Sequence, residues 1–362
     1  MHSTTKVRPR VLAVAMMVAT AGALLAACGS SGSGASSTAA SKKTLPTLTV
    51  AVDSDEVTPI PNGIIQLGVQ TGAFEKAGVD VKLVSLEGTP QVVQALVAGR
   101  ADVANVDTSD AIDLAAKKLV DVKAFVSNGA SPDYVVVASN SIGSFAKVKG
   151  ATFANETPGS EPDLMMKLLL SQNHLAANAV NDVSIGSPGD RLLAVVKGRA
   201  GITIVSDSQW ESLTKAQASC CHLLYNEQQF LTAVPVEAKL DIASEAALKD
   251  KQPALKAFIK AVLTMSRQYY KDPSLWAAQV VKTRTDLQEP TLAAHAAGPG
   301  FADQWCLNGC MNSQVLGSTS AFFYTSSALA GVPRIPLSDW VNTTLLKQVL
   351  KQMGVASGPD KP

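Results

Sequence analysis

Apolar and polar residues follow one another in short segments that predict strands and helices in turn. Residues 48–52 and 79–86 alternate as strands do, and residues 64–74 between them have the apolar spacing of a helix. Pro90 opens a further helix that closes at Gly99, and residues 103–106 form the next strand. Strands that alternate with helices indicate βαβ units, so the predicted fold class is α/β with a largely parallel sheet.

The pattern then repeats. Residues 95–103 read ALVAGRADV and precede Thr108 and Ser109, whereas residues 194–202 read AVVKGRAGI and precede Asp207 and Ser208. Each segment is a predicted helix, a Gly-Arg-Ala turn, a strand and a polar loop. A predicted strand also lies upstream of each segment, and this matched order predicts two related α/β lobes.

The N-terminus has the features of an export signal. Three basic residues lie within the first ten, and the uncharged, apolar residues 11–27 end in Leu-Ala-Ala before Cys28. That ending resembles a bacterial lipobox, in which the cysteine is lipidated. A transmembrane helix is the alternative, but the run is short for one. We expect residues 1–27 to be a signal peptide, residues 28–46 a lipidated flexible tether, and the protein to be anchored at the extracytoplasmic face of the cell membrane.

The composition bounds the class of protein. The chain has 362 residues and 46% of them are hydrophobic, which is enough for two domains with a sizeable core. Its formal charge is only +1. A protein that binds nucleic acid needs a basic surface to displace counterions from phosphates, so we expect no nucleic-acid partner.

Four cysteines remain besides Cys28, and an even number outside the cytoplasm suggests disulfides. Cys306 and Cys310 flank an Asn-Gly turn that can bring their sulfurs together, so a bridge between them is favoured. The alternative links Cys220 and Cys221 to that pair, and the sequence does not choose. No zinc-ligand spacing is satisfied, so neither a metal nor a cofactor is expected.

The ordered motifs resemble the ABC-importer binding proteins of the nitrate, sulfonate and thiamine-precursor group. Residues 95–116 resemble its helix-turn-strand signature, residues 131–137 its hinge strand and residues 142–154 the start of its second lobe. The resemblance covers residues 48–215 and is thinner in the C-terminal third.

This resemblance implies a two-lobed periplasmic-binding-protein type II fold, each lobe a mainly parallel sheet flanked by helices. Lobe one would comprise residues 47–132 plus 232–362, and lobe two residues 133–231. A monomer of this kind binds a small molecule in the cleft, closes on a hinge and delivers the molecule to the permease of an ABC importer.

Loops that follow strands are the candidate binding segments, because ligands of open α/β sheets lie beyond the carboxyl ends of strands. The residues expected to contact ligand are Asp53, Asp55, Glu56, Thr108, Ser109, Ser131, Tyr134, Thr157, Gly159, Ser160, Asp207 and Trp210. Ser160 is also predicted to cap the next helix, with Asp163 completing a capping box. Tyr134 and Trp210 can stack on a planar ligand, although packing on its own helix is the alternative for Trp210.

Charge points to the kind of ligand. The four loops after predicted strands hold eight carboxylates and no Lys or Arg. Such a cleft repels anions and favours a neutral or cationic nitrogenous ligand, for instance a heterocycle, with Asp53, Asp55 or Asp207 pairing with a ligand nitrogen. If the carboxylates are merely solvated or cap helices, a sulfonate or nitrate-type anion is the alternative.

The sequence contains no H-E-x-x-H, G-x-S-x-G, Walker or G-x-G-x-x-G motif, and its four histidines are scattered. We therefore expect a binding protein and not an enzyme. One alternative is an enzyme of pyrimidine-precursor synthesis on the same fold. Fungal relatives of that kind carry a cysteine-rich motif, and the pair of Cys220 and Cys221 resembles it weakly. The other is a lipoprotein that passes ligand or signal to a partner without transport.

Overall fold

The computed structural model describes residues 44–355, except residues 87–88, 131, 212, 235, 237, 286, 326–328 and 330. The predicted signal peptide, Cys28, most of the predicted tether and Ser131 lie outside the described residues. Within the described part, every helix is too short or too polar to span a bilayer.

Ten strands and sixteen α-helices lie among these residues. The strands are β1 (Thr47–Val52), β2 (Asp80–Ser85), β3 (Val103–Asp107), β4 (Val122–Gly129), β5 (Tyr134–Ser139), β6 (Thr152–Asn155), β7 (Asn181–Ser184), β8 (Ile202–Ser206), β9 (Cys221–Tyr225) and β10 (Lys239–Ser244). The helices are α1 (Ile64–Gln70), α2 (Ala73–Ala77), α3 (Thr89–Val97), α4 (Thr108–Ala116), α5 (Glu161–Gln172), α6 (Pro188–Val196), α7 (Asp207–Glu211), α8 (Lys215–Ala218), α9 (Glu227–Ala233), α10 (Glu245–Asp250), α11 (Gln252–Lys271), α12 (Pro273–Val280), α13 (Glu289–Ala296), α14 (Pro299–Asp303), α15 (Ser313–Phe323) and α16 (Thr344–Gln352).

The strands form two five-stranded sheets with equivalent strand order. Sheet A has the order β2-β1-β3-β10-β4, and sheet B has the order β7-β6-β8-β5-β9. Only β10 in sheet A and β5 in sheet B run antiparallel to their neighbours. Four of the five described strands in each sheet therefore share one direction, which confirms the α/β class and the mainly parallel sheets.

The chain crosses between the sheets twice, and each crossing leads into a reversed strand. Residues 130–133 connect β4 with β5, and α9 with residues 234–238 connects β9 with β10. One core packs sheet A against α1, α11, α12 and α16. A second core contains buried side chains from both sheets. The exact lobe boundaries stay a prediction.

The two halves of the predicted repeat have the same local structure. After α3 the chain turns at Gly99 with φ 67°, and after α6 it turns at Gly198 with φ 68°. The next residue donates its N–H back into the helix in both cases, Arg100 to Ala95 and Arg199 to Ala194, each at 2.8 Å. This helix ending requires a left-handed residue, which glycine provides without strain.

One predicted helix is interrupted. The helix predicted at residues 64–74 is broken into α1 and α2, because Gly72 between them has a positive φ of 67°. Helix α4 begins at Thr108, and Asp107 occupies its N-cap position. Asp110 therefore lies in the first helical turn, where a carboxylate interacts favourably with the helix dipole.

Candidate functional site

Strand direction brings acidic and basic residues to one edge of sheet A. Because β10 runs antiparallel to β3, its first residue, Lys239, pairs with Asp107, the last residue of β3. Asp53 directly follows β1, which lies beside β3. The Lys239 Nζ is 2.8 Å from Asp107 Oδ1 and 3.0 Å from Asp53 Oδ2. A half-buried lysine is thus held between two carboxylates at the carboxyl ends of the parallel strands.

Sheet B contributes from its own reversed strand. Tyr134 begins β5 and pairs with Ser206, the last residue of β8. Its hydroxyl donates a hydrogen bond of 3.0 Å to Oε2 of Glu161. Glu161 is the first residue of α5 and is 7% exposed. The first residue of each reversed strand, Lys239 in sheet A and Tyr134 in sheet B, therefore lies at the edge of the sheet where the other strands end.

A cavity of about 50 Å³ lies where these residues meet. Its lining comes from both sheets and from the crossings: Ile60, Pro61, Asn62, Gly129, Pro132, Asp133, Tyr134, Glu161, Ala238, Lys239 and Gln304. Three lining oxygens are buried without a hydrogen-bond partner among the described residues, namely Asn62 Oδ1, Asp133 Oδ2 and Glu161 Oε1. A buried polar atom left unsatisfied costs about 1–3 kcal/mol, so this wall favours a ligand that supplies hydrogen-bond donors.

The electrostatics of the cavity follow from burial and from close carboxylates. Burial, then Asp107, raises the pKa of Glu161 well above its ordinary value, although Lys239 and the Tyr134 hydrogen bond lower it. Burial lowers the pKa of Lys239, but Asp107 and Asp53 outweigh burial and keep that pKa well above its usual range. Lys239 is therefore charged, and its charge is neutralised by its two partners.

Arg191 is a second cation, and its buried side chain already has partners within the protein. It is 1% exposed and donates to the carbonyl oxygens of Gly186 and Ile204 at 2.5 and 3.3 Å. Its Nη1 also lies 3.7 Å from Oε2 of Glu156. Burial lowers the pKa of Arg191, and these contacts leave it a structural ion rather than a free cation for a ligand.

A second titratable group, which we call the His295 cluster, comprises Asp133, Asp207, Glu211, Glu227 and His295. The His295 Nδ1 lies 3.5 Å from Glu211 Oε2 and 3.6 Å from Asp207 Oδ2. The Asp207 N–H donates to the Asp133 carbonyl at 2.8 Å. Glu227 accepts a hydrogen bond from Gln304. Because Asp133 and Gln304 also line the cavity, the cluster borders it.

Within the cluster, hydrogen bonding and burial oppose each other. The hydrogen bond with Glu211 raises the pKa of His295, against the effect of burial, and lowers the pKa of Glu211. Burial, then Glu227, raises the pKa of Asp133 to about 7. Burial, then neighbouring carboxylates, also raises the pKa of Asp207 and of Glu227. The cluster is therefore a strongly acidic surface with one imidazole.

The structure brings together only some of the residues that were predicted to contact ligand. Tyr134 lines the cavity, and Asp53 is paired with Lys239 of the cavity lining. Asp207 belongs to the His295 cluster. Asp55 and Glu56 are exposed, and Ser109 is half-buried outside the cavity lining. Thr108 is fully buried, and its hydroxyl donates to the Ala238 carbonyl at 3.2 Å, so it supports the second crossing.

The loop before α5 differs from the predicted capping box. Ser160 holds the N-cap position, but its side chain makes no capping hydrogen bond. Instead, the Asp163 carboxylate accepts from the Gly159 N–H at 2.6 Å and from Lys167 at 2.7 Å. Thr157 and Gly159 are exposed, and half-buried Trp210 packs on the apolar core of sheet B. Trp210 therefore packs on the core of sheet B, and its contact with ligand stays a prediction.

Several residues at the site were missed. Lys239 is one of them, because only loops that follow strands were predicted to bind ligand and Lys239 begins a strand that runs the other way. The feature that would have pointed to Lys239 is the reversal of strand direction after each crossing between the sheets. Asn62, Asp133, His295 and Gln304 have no comparable sequence signal, because tertiary packing alone brings them together.

The cysteines are paired locally. The sulfurs of Cys306 and Cys310 lie within bonding distance, as do those of Cys220 and Cys221. The segment between Cys306 and Cys310 supports β4, since the Ser127 N–H donates to the Gly309 carbonyl at 2.9 Å. The alternative linkage between the two pairs is not the one that the structure contains.

A larger groove of about 590 Å³ lies between α15 and α16, far along the chain from the strand ends. Lys347 is the one charged residue among those that line it. It brings together no titratable groups from the two sheets, so the cavity between the sheets is the better candidate.

Known proteins show what this architecture is similar to. The family model described as NMT1/THI5 like matches residues 63–274, which is more than half of the chain. Asp53, His295 and Gln304 lie outside that match. No curated protein matches the chain in sequence.

Solved structures share the fold. The periplasmic sulfonate-binding protein SsuA of a sulfonate ABC transporter from Methylobacillus flagellatus KT has a TM-score of 0.68 at 15% identity, covering 88% of this chain and 98% of that one. The periplasmic aliphatic sulphonate binding protein SsuA from Escherichia coli has a TM-score of 0.63 at 15% identity, covering 83% and 92%. A mutant of DszB in complex with biphenyl-2-sulfinic acid has a TM-score of 0.61 at 11% identity, covering 85% and 100%.

Proposed function

Because this chain belongs to the NMT1/THI5-like family, we propose that it is an extracytoplasmic solute-binding lipoprotein of an ABC import system, with a neutral or cationic nitrogenous ligand. The ligand is a small compound that carries N–H donors. It binds between sheets A and B and is delivered to the permease of the importer. The protein acts as a monomer that closes on its ligand.

The observation that carries the ligand class is the set of three unpartnered oxygens in the cavity wall. Asn62 Oδ1, Asp133 Oδ2 and Glu161 Oε1 are buried and can all accept hydrogen bonds. A ligand with convergent N–H groups would satisfy all three. A ligand with only acceptors would leave Asn62 Oδ1 unpaired and could pair with Asp133 and Glu161 only as protonated carboxyl groups. An amine, amidine or N–H heterocycle meets this requirement.

The charges at the cavity support the same class. Lys239, the cation in its lining, already has two carboxylate partners within 3.0 Å. Glu161 lies at the N-terminus of α5, where an incoming anion would otherwise benefit from the helix dipole. An anionic ligand would therefore meet an acidic wall without an available counter-ion.

The cavity volume supports closure around the ligand. At about 50 Å³ it holds only a few atoms, so a heterocycle must enter and leave by separation of the two sheets. Such hinge motion about two crossings is a common way for binding proteins to bury a ligand.

A sulfonate is the second candidate. Two of the solved structures with this fold are sulfonate-binding proteins, and α5 presents unpaired N–H groups at its first turn. This candidate agrees with the raised pKa of Glu161, because burial favours the protonated, uncharged carboxyl group.

We propose binding rather than turnover for a reason of geometry. Lys239 is held by carboxylates and Tyr134 by Glu161, and the described cavity lining contains no Ser, Cys or His that could act as a nucleophile or base. Lipidation of Cys28, a disulfide between Cys220 and Cys221 and another between Cys306 and Cys310 complete the proposal for an exported protein.

Thermal-shift screening of the full-length protein tests the ligand class, because a ligand that binds only the folded state raises its melting temperature. The panel contains amines, N–H heterocycles, alkanesulfonates and nitrate. We expect amines or N–H heterocycles to stabilise the protein and Glu161→Gln to weaken their binding about tenfold to a hundredfold. The matched control is Glu56→Gln, whose parent carboxylate is exposed and outside the cavity lining. Stabilisation by sulfonates or nitrate alone would refute the proposed ligand class.

A further inference from the structure

The His295 cluster has the spacing of a metal site. One ligand atom each from Asp207, Glu211 and His295 lies within 4.8 Å of the other two. The two distances from His295 Nδ1 to the carboxylate oxygens are 3.5 and 3.6 Å. In a tetrahedral Zn²⁺ site with bonds of about 2.0–2.2 Å, neighbouring ligand atoms lie roughly 3.3–3.6 Å apart. The three side chains thus need little movement to bind one ion.

The charge of the cluster is unbalanced. The His295 Nδ1 lies within 3.6 Å of one carboxylate oxygen of Asp207 and one of Glu211. One imidazole, even when it is protonated, carries a single positive charge against these two carboxylates. A divalent cation would remove this repulsion, which is the physical reason for acidic groups to converge on a metal ion.

A buried and unpartnered oxygen lies beside these three side chains, on the side of the cavity. Asp133 is 6% exposed, and its Oδ2 has no hydrogen-bond partner among the described residues. Its backbone carbonyl accepts from the Asp207 N–H, so the side chain starts beside the cluster. An unsatisfied carboxylate oxygen at this depth requires a donor or a cation.

The cluster also joins parts of the molecule that belong to different sheets. Asp207 and Glu211 lie on α7, directly after the last residue of β8 in sheet B. His295 lies on α13, whose buried residues Leu292 and Ala296 belong to the core beneath sheet A. An ion bound by all three would therefore tie the two sheets together next to the cavity.

We propose that Asp207, Glu211 and His295 bind a divalent transition-metal ion, with Zn²⁺ the best fit to the one imidazole and two carboxylates. The ion acts as a clamp that holds α13 against the end of β8 when the two sheets are closed. The proposal goes beyond solute binding and does not depend on the class of organic ligand.

Titration of ZnCl₂ into the full-length protein, after EDTA treatment and desalting and without any organic solute, tests the clamp. We expect one Zn²⁺ site per chain, with affinity at least about tenfold weaker in His295→Gln and in Glu211→Gln. The control is His222→Gln, because His222 lies in β9 and outside the cluster. Glu211 has a 44% exposed side chain, so its substitution tests the site even if His295→Gln folds poorly.

Co²⁺ provides a spectroscopic readout of the same site. A visible absorption band of tetrahedral Co²⁺ in the parent protein, lost in both cluster variants and kept in the control, supports the proposal. Absence of stoichiometric Zn²⁺ binding, or equal affinity in the parent and in both cluster variants, would overturn it. So would stabilisation of the EDTA-treated protein by an amine through these residues while Zn²⁺ has no effect, because the cluster would then belong to the organic solute.

Discussion

The centre of sheet A contains a buried polar trio of Asn105, Asn128 and Asp241. The Asn105 Nδ2 donates to Asp241 Oδ1 at 2.9 Å and to Asn128 Oδ1 at 3.2 Å. Asp241 is fully buried, and its Oδ2 has no hydrogen-bond partner among the described residues. Burial raises the pKa of Asp241 from 3.8 to about 7, while the hydrogen bond from Asn105 lowers it. At this scale, therefore, a single buried carboxyl group makes stability depend on pH.

The change Asp241→Asn should stabilise the protein at high pH. The folded state binds the Asp241 proton more tightly than the unfolded chain, so the free energy of unfolding falls as pH rises from 3.8 to about 7. An asparagine can accept the same hydrogen bond without this loss. We expect a gain of roughly 2–4 kcal/mol at pH 8 that shrinks towards pH 4, measured by urea unfolding.

Asp303→Asn is the control for that measurement, because Asp303 is exposed and the change should have little effect at either pH. A gain of the same size at pH 4 and pH 8 would show that the benefit of Asp241→Asn does not come from the carboxylate charge.

Individual site residues could be predicted only where a local rule applied. Asp53 and Asp207 follow strands, and the rule that ligands lie at the carboxyl ends of strands found both. Lys239 escaped that rule because it begins a reversed strand. His295 meets Asp207 only because α13 packs beneath sheet A, and no spacing in the sequence records that contact.

At the scale of elements, the helix–turn–strand unit was predictable because its hydrogen bonds are local. Gly99 and Gly198 both have positive φ, and an added Cβ would have open space around it at each of them. The requirement for a positive φ at these two glycines is thus independent of side-chain packing around them. Strand direction was not predictable in the same way, because the reversal of β5 and β10 depends on how the chain returns after each crossing.

Replacing Gly198 by Ala tests the turn alone. We expect the free energy of unfolding to fall by about 1 kcal/mol, since alanine is strained at φ 68° and meets no neighbour within 4 Å. The matched control is Gly317→Ala in α15, which also has open space but a helical backbone, so it should stabilise by up to about 1 kcal/mol. Equal effects of the two changes in denaturant unfolding would contradict the role given to the positive φ.

At the scale of the whole molecule, the proposed lipid anchor is on Cys28, which lies outside the described residues. Cys28→Ala should move the protein from the membrane fraction to the soluble fraction, because one lipidated residue supplies the apolar chains that hold it there. Fractionation after a carbonate wash measures this, with Ser30→Ala as the control that should remain bound. A Cys28→Ala protein that stays with membranes would show that the lipobox interpretation is wrong.

The overall architecture was the most predictable level. Alternating strands and helices, the repeated unit and the family resemblance all indicate two α/β sheets from the sequence alone. The chemistry of the cleft was less predictable, because it is set by pairs such as Lys239 with Asp53 and by orphaned oxygens such as Glu161 Oε1. Those depend on the meeting of two sheets, which local sequence does not encode.

The central claim is that the space between the sheets binds an N–H-bearing nitrogenous solute. Native mass spectrometry of the full-length protein purified from its host tests this most directly, because a solute bound with high affinity survives purification. We predict a bound small molecule that contains nitrogen and at least one N–H donor and that is lost or reduced in Glu161→Gln but retained in Glu56→Gln. A bound sulfonate or other anion without N–H groups, retained in both variants, would contradict the account.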